Sequence, residues 1–264
     1  MISPTWTGLL YSSAPVLIAM AILSIRRLGQ VRPLLVALTR LVIQLVLLGF
    51  VLDWLFTTKS PAIVGAIALV MLLASAHTVS ARLKGGGWPL RLQAFASMGI
   101  GMLLVMAVSL RWGLHVDPWY EPRVVIPLLG MILGNSVTGV ALAAERLESD
   151  LRAERDRVEL RLALGATSRQ AALPALRAAV RAALTPPINN MMIAGIVAIP
   201  GMTTGQLLAG APVQDAIRYQ ILVYLGITGT VSLSTLVLLA VRLRTYFTPW
   251  AQLRIERLGT SEGD

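Results

Sequence analysis

The stretch "YQILVYLGITGTVSLSTLVLLAV", Tyr219 to Val241, carries no charge and lies between Arg218 and Arg242. A helix rises about 1.5 Å per residue, so a run of this length crosses a hydrocarbon core about 30 Å thick. Working outward, runs of similar length with few charges recur at Gly8–Ile25, Leu34–Phe56, Ala62–Ala81, Gln93–Leu114, Val124–Ala144 and Pro187–Leu208. None alternates apolar and polar residues as a barrel strand does, and backbone in lipid must satisfy its own hydrogen bonds. The reading is an all-α polytopic membrane protein with about seven transmembrane helices. The sixth run is the least regular, because Pro186-Pro187 opens it and Pro200-Gly201 interrupts it.

Composition agrees. Of 264 residues, 56% are hydrophobic and 14% charged, against about 25% charged in a soluble domain; the mean hydropathy is +0.72. There is no cysteine, hence no disulfide and no thiolate metal site. His77 and His115 lie too far apart in sequence for a metal-ligand spacing. "MISPTWTGLL" lacks a basic n-region and reads as an uncleaved first span.

The net charge of +10 first suggests nucleic acid, but its placement along the chain explains it better. One set of connections holds Arg26, Arg27, Arg32, Arg82, Lys84 and Arg91. The same set continues with Arg146, Arg152, Arg155, Arg157, Arg161, Arg169, Arg177 and Arg181, then Arg242, Arg244, Arg254 and Arg257. The opposite set holds only Lys59, Arg111, Arg123 and Arg218. Basic residues collect on the cytoplasmic side, which puts the N-terminus outside and the C-terminus inside. Seven spans reconcile both ends, and no nucleic-acid partner is needed. No internal repeat or second globular domain is visible. Residues 1–264 read as one transmembrane domain, with a cytoplasmic segment at about 145–185 and a disordered tail at about 258–264.

That cytoplasmic segment has its own grammar. From Glu148 to Leu164 the residues favour helix, Glu148 and Arg152 stand in the favourable i,i+4 order, and Leu151, Val158 and Leu162 share a stripe. Gly165 is a natural C′ residue, and Thr167-Ser168-Arg169-Gln170 has the form of a capping box. The expectation is helix, sharp turn, second short helix between spans five and six. Such a hairpin either simply joins two spans or offers a rigid element to a cytoplasmic partner.

Polar residues inside the expected spans are the pathway candidates. Arg40, with Gln44 one turn later, lies toward the cytoplasmic end of the second span; it either serves a site or snorkels to the headgroups. Asn135 follows Gly134 in the fifth span, where small and polar residues also serve close helix packing. In the sixth, Asn189, Asn190, Met202, Thr203, Thr204 and Gln206 flank an expected break, a device that lines solute sites in transporters. Met191, Met192 and Met202 read more readily as packing than as metal ligands. No carboxylate stands at mid-span, so no oxygen cage for a hard cation is visible within one chain.

Glu159 followed six residues later by Gly165 resembles the E-A-A-x-x-x-G element of ABC-transporter permeases, with Leu160 and Arg161 in place of the two alanines and Leu173-Pro174 earlier than that motif's Leu-Pro. Longer blocks resemble the FetB-type permeases linked to iron export: "TRLVIQLVLLGFVL", "PLLGMILGNSVTGVAL", "LRLALGATSRQA", "RAALTPPINNMMIAGIVAIPGMTTGQLLAG" and "AIRYQILVYLGITGTVSLST", in that order. Some members carry an acid and a lysine near the start of the sixth span, where this chain has Asn189-Asn190-Met191-Met192. The resemblance implies the permease of an exporter of iron or another metal or metal complex, working as a homodimer in the cell membrane. It also implies that Glu159, Gly165, Ala166, Thr167, Arg169 and Gln170 receive a separate ATPase subunit. No G-x-x-x-x-G-K-[ST] occurs, so ATP and Mg would belong to that partner and the chain itself is not an enzyme. A stand-alone transporter or channel, and a non-transporting signal element, are the alternatives.

Overall fold

The computed structural model describes residues 5–58, 60–83, 87–254 and Leu258. Lys59, Lys84 and Arg257, used above for orientation, and tail residues 259–264 lie outside the described residues. Every regular element described is a helix, and the β-pairing described is two isolated bridges, Ala194–Ala198 and Phe247–Leu253. The chain divides into two compact units, Met1–Lys59 and Ser60–Asp264.

The first unit holds α1 (Trp6–Ser12), α2 (Ala14–Ile25) and α3 (Val31–Thr58). Thr5 caps α1 by accepting from the Gly8 amide at 3.2 Å. The first expected span is therefore two helices meeting at Ser13, with Pro15 in the first turn of the second, where its missing N–H costs nothing. α3 carries a long apolar run, residues 41–52, broken only by Gln44 and ending at Asp53.

The second unit holds α4 (Pro61–Arg82), α5 (Gly87–Val108), α6 (Pro122–Ala153), α7 (Arg155–Ala163), α8 (Ser168–Ala171), α9 (Leu173–Ile193), α10 (Gly201–Leu208) and α11 (Val213–Tyr246). A π-helical turn, Ser109–Gly113, prolongs α5. Helix α11 packs against α5, α6, α9 and α10, while α6 also meets α4 and α9. Leu128, Ile132, Val140 and Leu147 of α6 are buried with Val231 and Leu238 of α11, Met98 of α5 and Val79 of α4. Small residues set the spacing. A Cβ at Gly139 would fall 2.7 Å from Val231 and 3.1 Å from the Ala183 carbonyl oxygen, so α6, α9 and α11 meet where only glycine fits. Ala175, Ala179 and Ala183 carry the buried stripe of α9 at four-residue spacing. Without a hydrophobic driving force in lipid, such close backbone contact is what holds helices together.

Among the described residues six helical stretches are long and apolar enough to cross a membrane, against seven expected. The one not among them is the sixth, Pro187–Leu208. Its helix begins earlier, at Leu173, carries Pro186 and Pro187 in its interior and ends at Ile193. Pro187 has no N–H for the Ala183 carbonyl, and that oxygen faces the open flank of Gly139. The break follows at Gly195 (φ +81), where the Ile193 carbonyl accepts from Val197 and Ala198 at 3.0 and 3.1 Å. Pro200 then leads into α10. Together α9 and α10 run antiparallel to α11. Ala183 lies by Gly139 and Val231, the Thr228 hydroxyl donates to Met191 Sδ at 3.5 Å, and the Thr203 hydroxyl donates to Gln220 at 3.1 Å.

A second correction concerns the helix expected from Glu148 to Leu164. It is interrupted at Glu154 (φ −103, ψ 23), which separates α6 from α7.

Candidate functional site

The turn after α7 is built by local bonds. The Gly165 amide donates to the Leu162 carbonyl and the Ala166 amide to Arg161, each at 3.0 Å, the paired pattern of a Schellman end. Gly165 supplies the required positive φ of +88. Thr167 then starts α8: its hydroxyl accepts from the Gln170 amide at 3.3 Å, while its own amide donates to the Gln170 side-chain oxygen at 2.9 Å. Both halves of the capping box are present.

Sequence reasoning missed the brace across this turn. Arg161 Nη1 donates to the Ala171 carbonyl at 3.0 Å, tying the last turn of α7 to the end of α8. Nothing in residue spacing announces a side chain reaching over a turn to a main-chain oxygen. Glu159 does not face that turn; it pairs with Arg155 at 2.8 Å, both well exposed, and its carboxylate holds the Arg155 guanidinium above its ordinary value. Arg169 is exposed on α8 and lines a groove toward α11.

Glu148 also departs from expectation. Instead of pairing with Arg152, it is buried against α11, accepting hydrogen bonds from Arg242 and the Tyr246 hydroxyl, while Arg242 stacks over the Tyr246 ring at 4.5 Å. This buried trio clamps the end of α6 next to α7 onto the end of α11. The i,i+4 pairs actually made on α6 and α7 are Arg146–Asp150 and Arg155–Glu159.

The pathway candidates are spread over three helices of the second unit. Asn135 is exposed on α6, its amide donating to the Met131 carbonyl at 2.7 Å, and Ser136 beside it is buried. Asn189 and Asn190 are exposed near the end of α9. On α10, Thr203 is buried against Gln220, Thr204 turns back to the Pro200 carbonyl at 3.3 Å, and Met202 and Gln206 are half-buried. Thr203 is thus a packing residue joining α10 to α11. Arg40 and Gln44 are exposed on α3 in the first unit. Among the described residues no three His, Cys, Asp or Glu side chains gather as a metal site.

Residues 6–247 match the Uncharacterised protein family (UPF0014). The chain is 36% identical over 237 residues to the UPF0014 membrane protein slr1647 of Synechocystis sp., covering 90% of this chain and 92% of that one. It is 34% identical to the UPF0014 membrane protein STAR2 of Oryza sativa subsp. japonica, over 85% and 78% of the two chains. With the Probable iron export permease protein FetB of Escherichia coli it shares 29% identity over 92% of each. No solved structure matches. The chain belongs to the UPF0014 family and is a multi-pass membrane protein.

Proposed function

We propose that this protein is the membrane-spanning permease subunit of an ABC exporter of iron or another metal or metal complex, driven by a separate ATPase subunit that docks on the 158–184 segment. The observation that carries the reading is the rigid α7–turn–α8 unit. It is capped at Gly165 and Thr167, braced by Arg161, and held on a bundle whose end is clamped by Glu148, Arg242 and Tyr246. A push on α8 reaches α6, α9 and α11 through packed groups rather than through a slack loop. The likeness to a relative named as a probable iron export permease suggests the cargo.

In this reading the chain crosses the membrane seven times, N-terminus outside and C-terminus in the cytoplasm. The broken pair α9–α10 serves as the sixth crossing, because it follows α11 from the arginine-rich end toward the opposite end. Irregular backbone at that depth needs a protein cover, yet Ile196, Val197 and Ile199 are 88%, 80% and 70% exposed. A second copy of the chain supplies that cover and makes the working unit a homodimer. Asn135, Asn189, Asn190, Thr204 and Gln206 then offer amide and hydroxyl groups along the pathway, with Thr203 and Met202 shaping the break. Weak neutral ligands of this kind suit a cargo that is passed on rather than retained.

The test is reconstitution. The permease and the ATPase subunit that co-purifies with it are placed in vesicles, and metal flux is followed with and without ATP. ATP-dependent metal movement is expected. Metal movement that persists without ATP, or a permease that stimulates no ATPase, overturns the reading.

A further inference from the structure

At the arginine-rich end of the second unit, α8, α9 and the end of α11 enclose an open groove of about 1130 Å³, larger than the ~300–1,000 Å³ of ordinary small-molecule pockets. Arg169, Arg177, Arg181, Arg244 and Arg254 line it, and among the described residues no acidic one does. None of these five side chains is paired among the described residues. The floor is apolar, made by Leu176, Val180, Leu236 and Leu243.

The depth of this groove identifies its occupant. On α11 the uncharged run Tyr219–Val241 ends at Arg242. Leu236 lies six residues inside that end, about 9 Å at 1.5 Å per residue. Arg244 and Arg254 lie beyond it. The groove therefore straddles the level at which hydrocarbon gives way to headgroups, with Arg244 and Arg254 beyond the boundary and Arg177 and Arg181 of α9 beside the apolar floor just inside it. A protein docked on the end of the bundle would use the arginines but has no need of a slot reaching into the apolar run. A free phosphate would leave the slot unused. We propose that the groove binds an anionic phospholipid of the adjacent leaflet, its phosphate among Arg177, Arg244 and Arg254 and an acyl chain along Val180 and Leu236. Arg169 places α8 on the rim, so lipid bound there contacts the element next to the capped turn. Basic pockets between membrane helices hold anionic headgroups for this same electrostatic reason. The inference concerns binding alone and stands whether or not the protein exports a metal.

The experiment is native mass spectrometry of the full chain in neutral detergent, titrated with phosphatidylglycerol or phosphatidylcholine. Phosphatidylglycerol is retained over phosphatidylcholine by about tenfold or more. Arg177→Gln/Arg244→Gln lowers that retention about 25-fold, roughly fivefold per arginine. The charge-keeping Arg177→Lys/Arg244→Lys pair retains the lipid, which separates loss of charge from loss of fold, and Arg26→Gln/Arg27→Gln changes nothing. Ala240→Phe, which narrows the slot, weakens diacyl-lipid retention. Equal retention of the two lipids, or an unchanged glutamine pair, overturns the proposal. So does full displacement by inorganic phosphate, or retention that is seen only after removal of residues 259–264, which would give the groove to the chain's own acidic end.

Discussion

Gly165 makes the turn between α7 and α8. Its φ of +88 allows the two amides after α7 to turn back onto Leu162 and Arg161, and a Cβ built there meets nothing within 4 Å. The obstacle to replacing it is therefore backbone conformation alone, about 1–2 kcal/mol for an L-residue in the left-handed region and worse for a β-branched one. Asn tolerates that region. Gly165→Val should thus abolish stimulation of the partner ATPase, whereas Gly165→Asn should largely keep it; equal stimulation by wild type and the valine variant would retire the coupling assignment. This turn was legible in advance because a helix C-cap and a capping box are properties of adjacent residues. The Arg161 brace was not, since it depends on where the turn sends α8.

Helices α6 and α11 show a different kind of information. Glu148 and Arg242 stand 94 residues apart and are both buried, with Tyr246 completing the set one turn beyond Arg242. Removing one partner leaves a buried charge uncompensated, which costs roughly 3–5 kcal/mol, while replacing both by apolar residues of similar size costs far less. Glu148→Ala should therefore lower thermal stability sharply, and Glu148→Leu/Arg242→Met should recover most of it. A double variant as unstable as the single one would show that the clamp is not a coupled pair. Residue spacing offered a plausible local partner, Arg152, and the fold used a distant one. The same lesson holds for α9, where Pro186-Pro187 read as a helix start. They lie inside the helix because α6, with Gly139 opposite Ala183, packs against the stretch that the prolines would otherwise weaken.

For the molecule as a whole, the absence of cysteine makes topology directly measurable. Single cysteines at Arg157 on α7 and Gln214 at the start of α11 occupy exposed positions. An impermeant maleimide should reach them from opposite sides of the membrane if α9–α10 is a crossing; labelling from one side would reduce the count to six. Val197→Cys, at the exposed break, should give a disulfide-linked dimer in membranes, and persistent monomer under oxidation would count against the homodimer.

What residue order alone made legible was the membrane, the helical class, most of the spans and the capped turn. Each follows from hydrophobicity over a window or from the chemistry of neighbouring residues. Tertiary structure decided the rest: that the sixth expected span is two helices around Gly195, that Glu148 answers Arg242, that Thr203 packs while Asn135 stays open, and that separate arginines of α8, α9 and α11 share one groove. These depend on which helix faces which and at what height, and in lipid that is set by close packing of small residues such as Gly139 and Ala183, whose contacts no local pattern encodes.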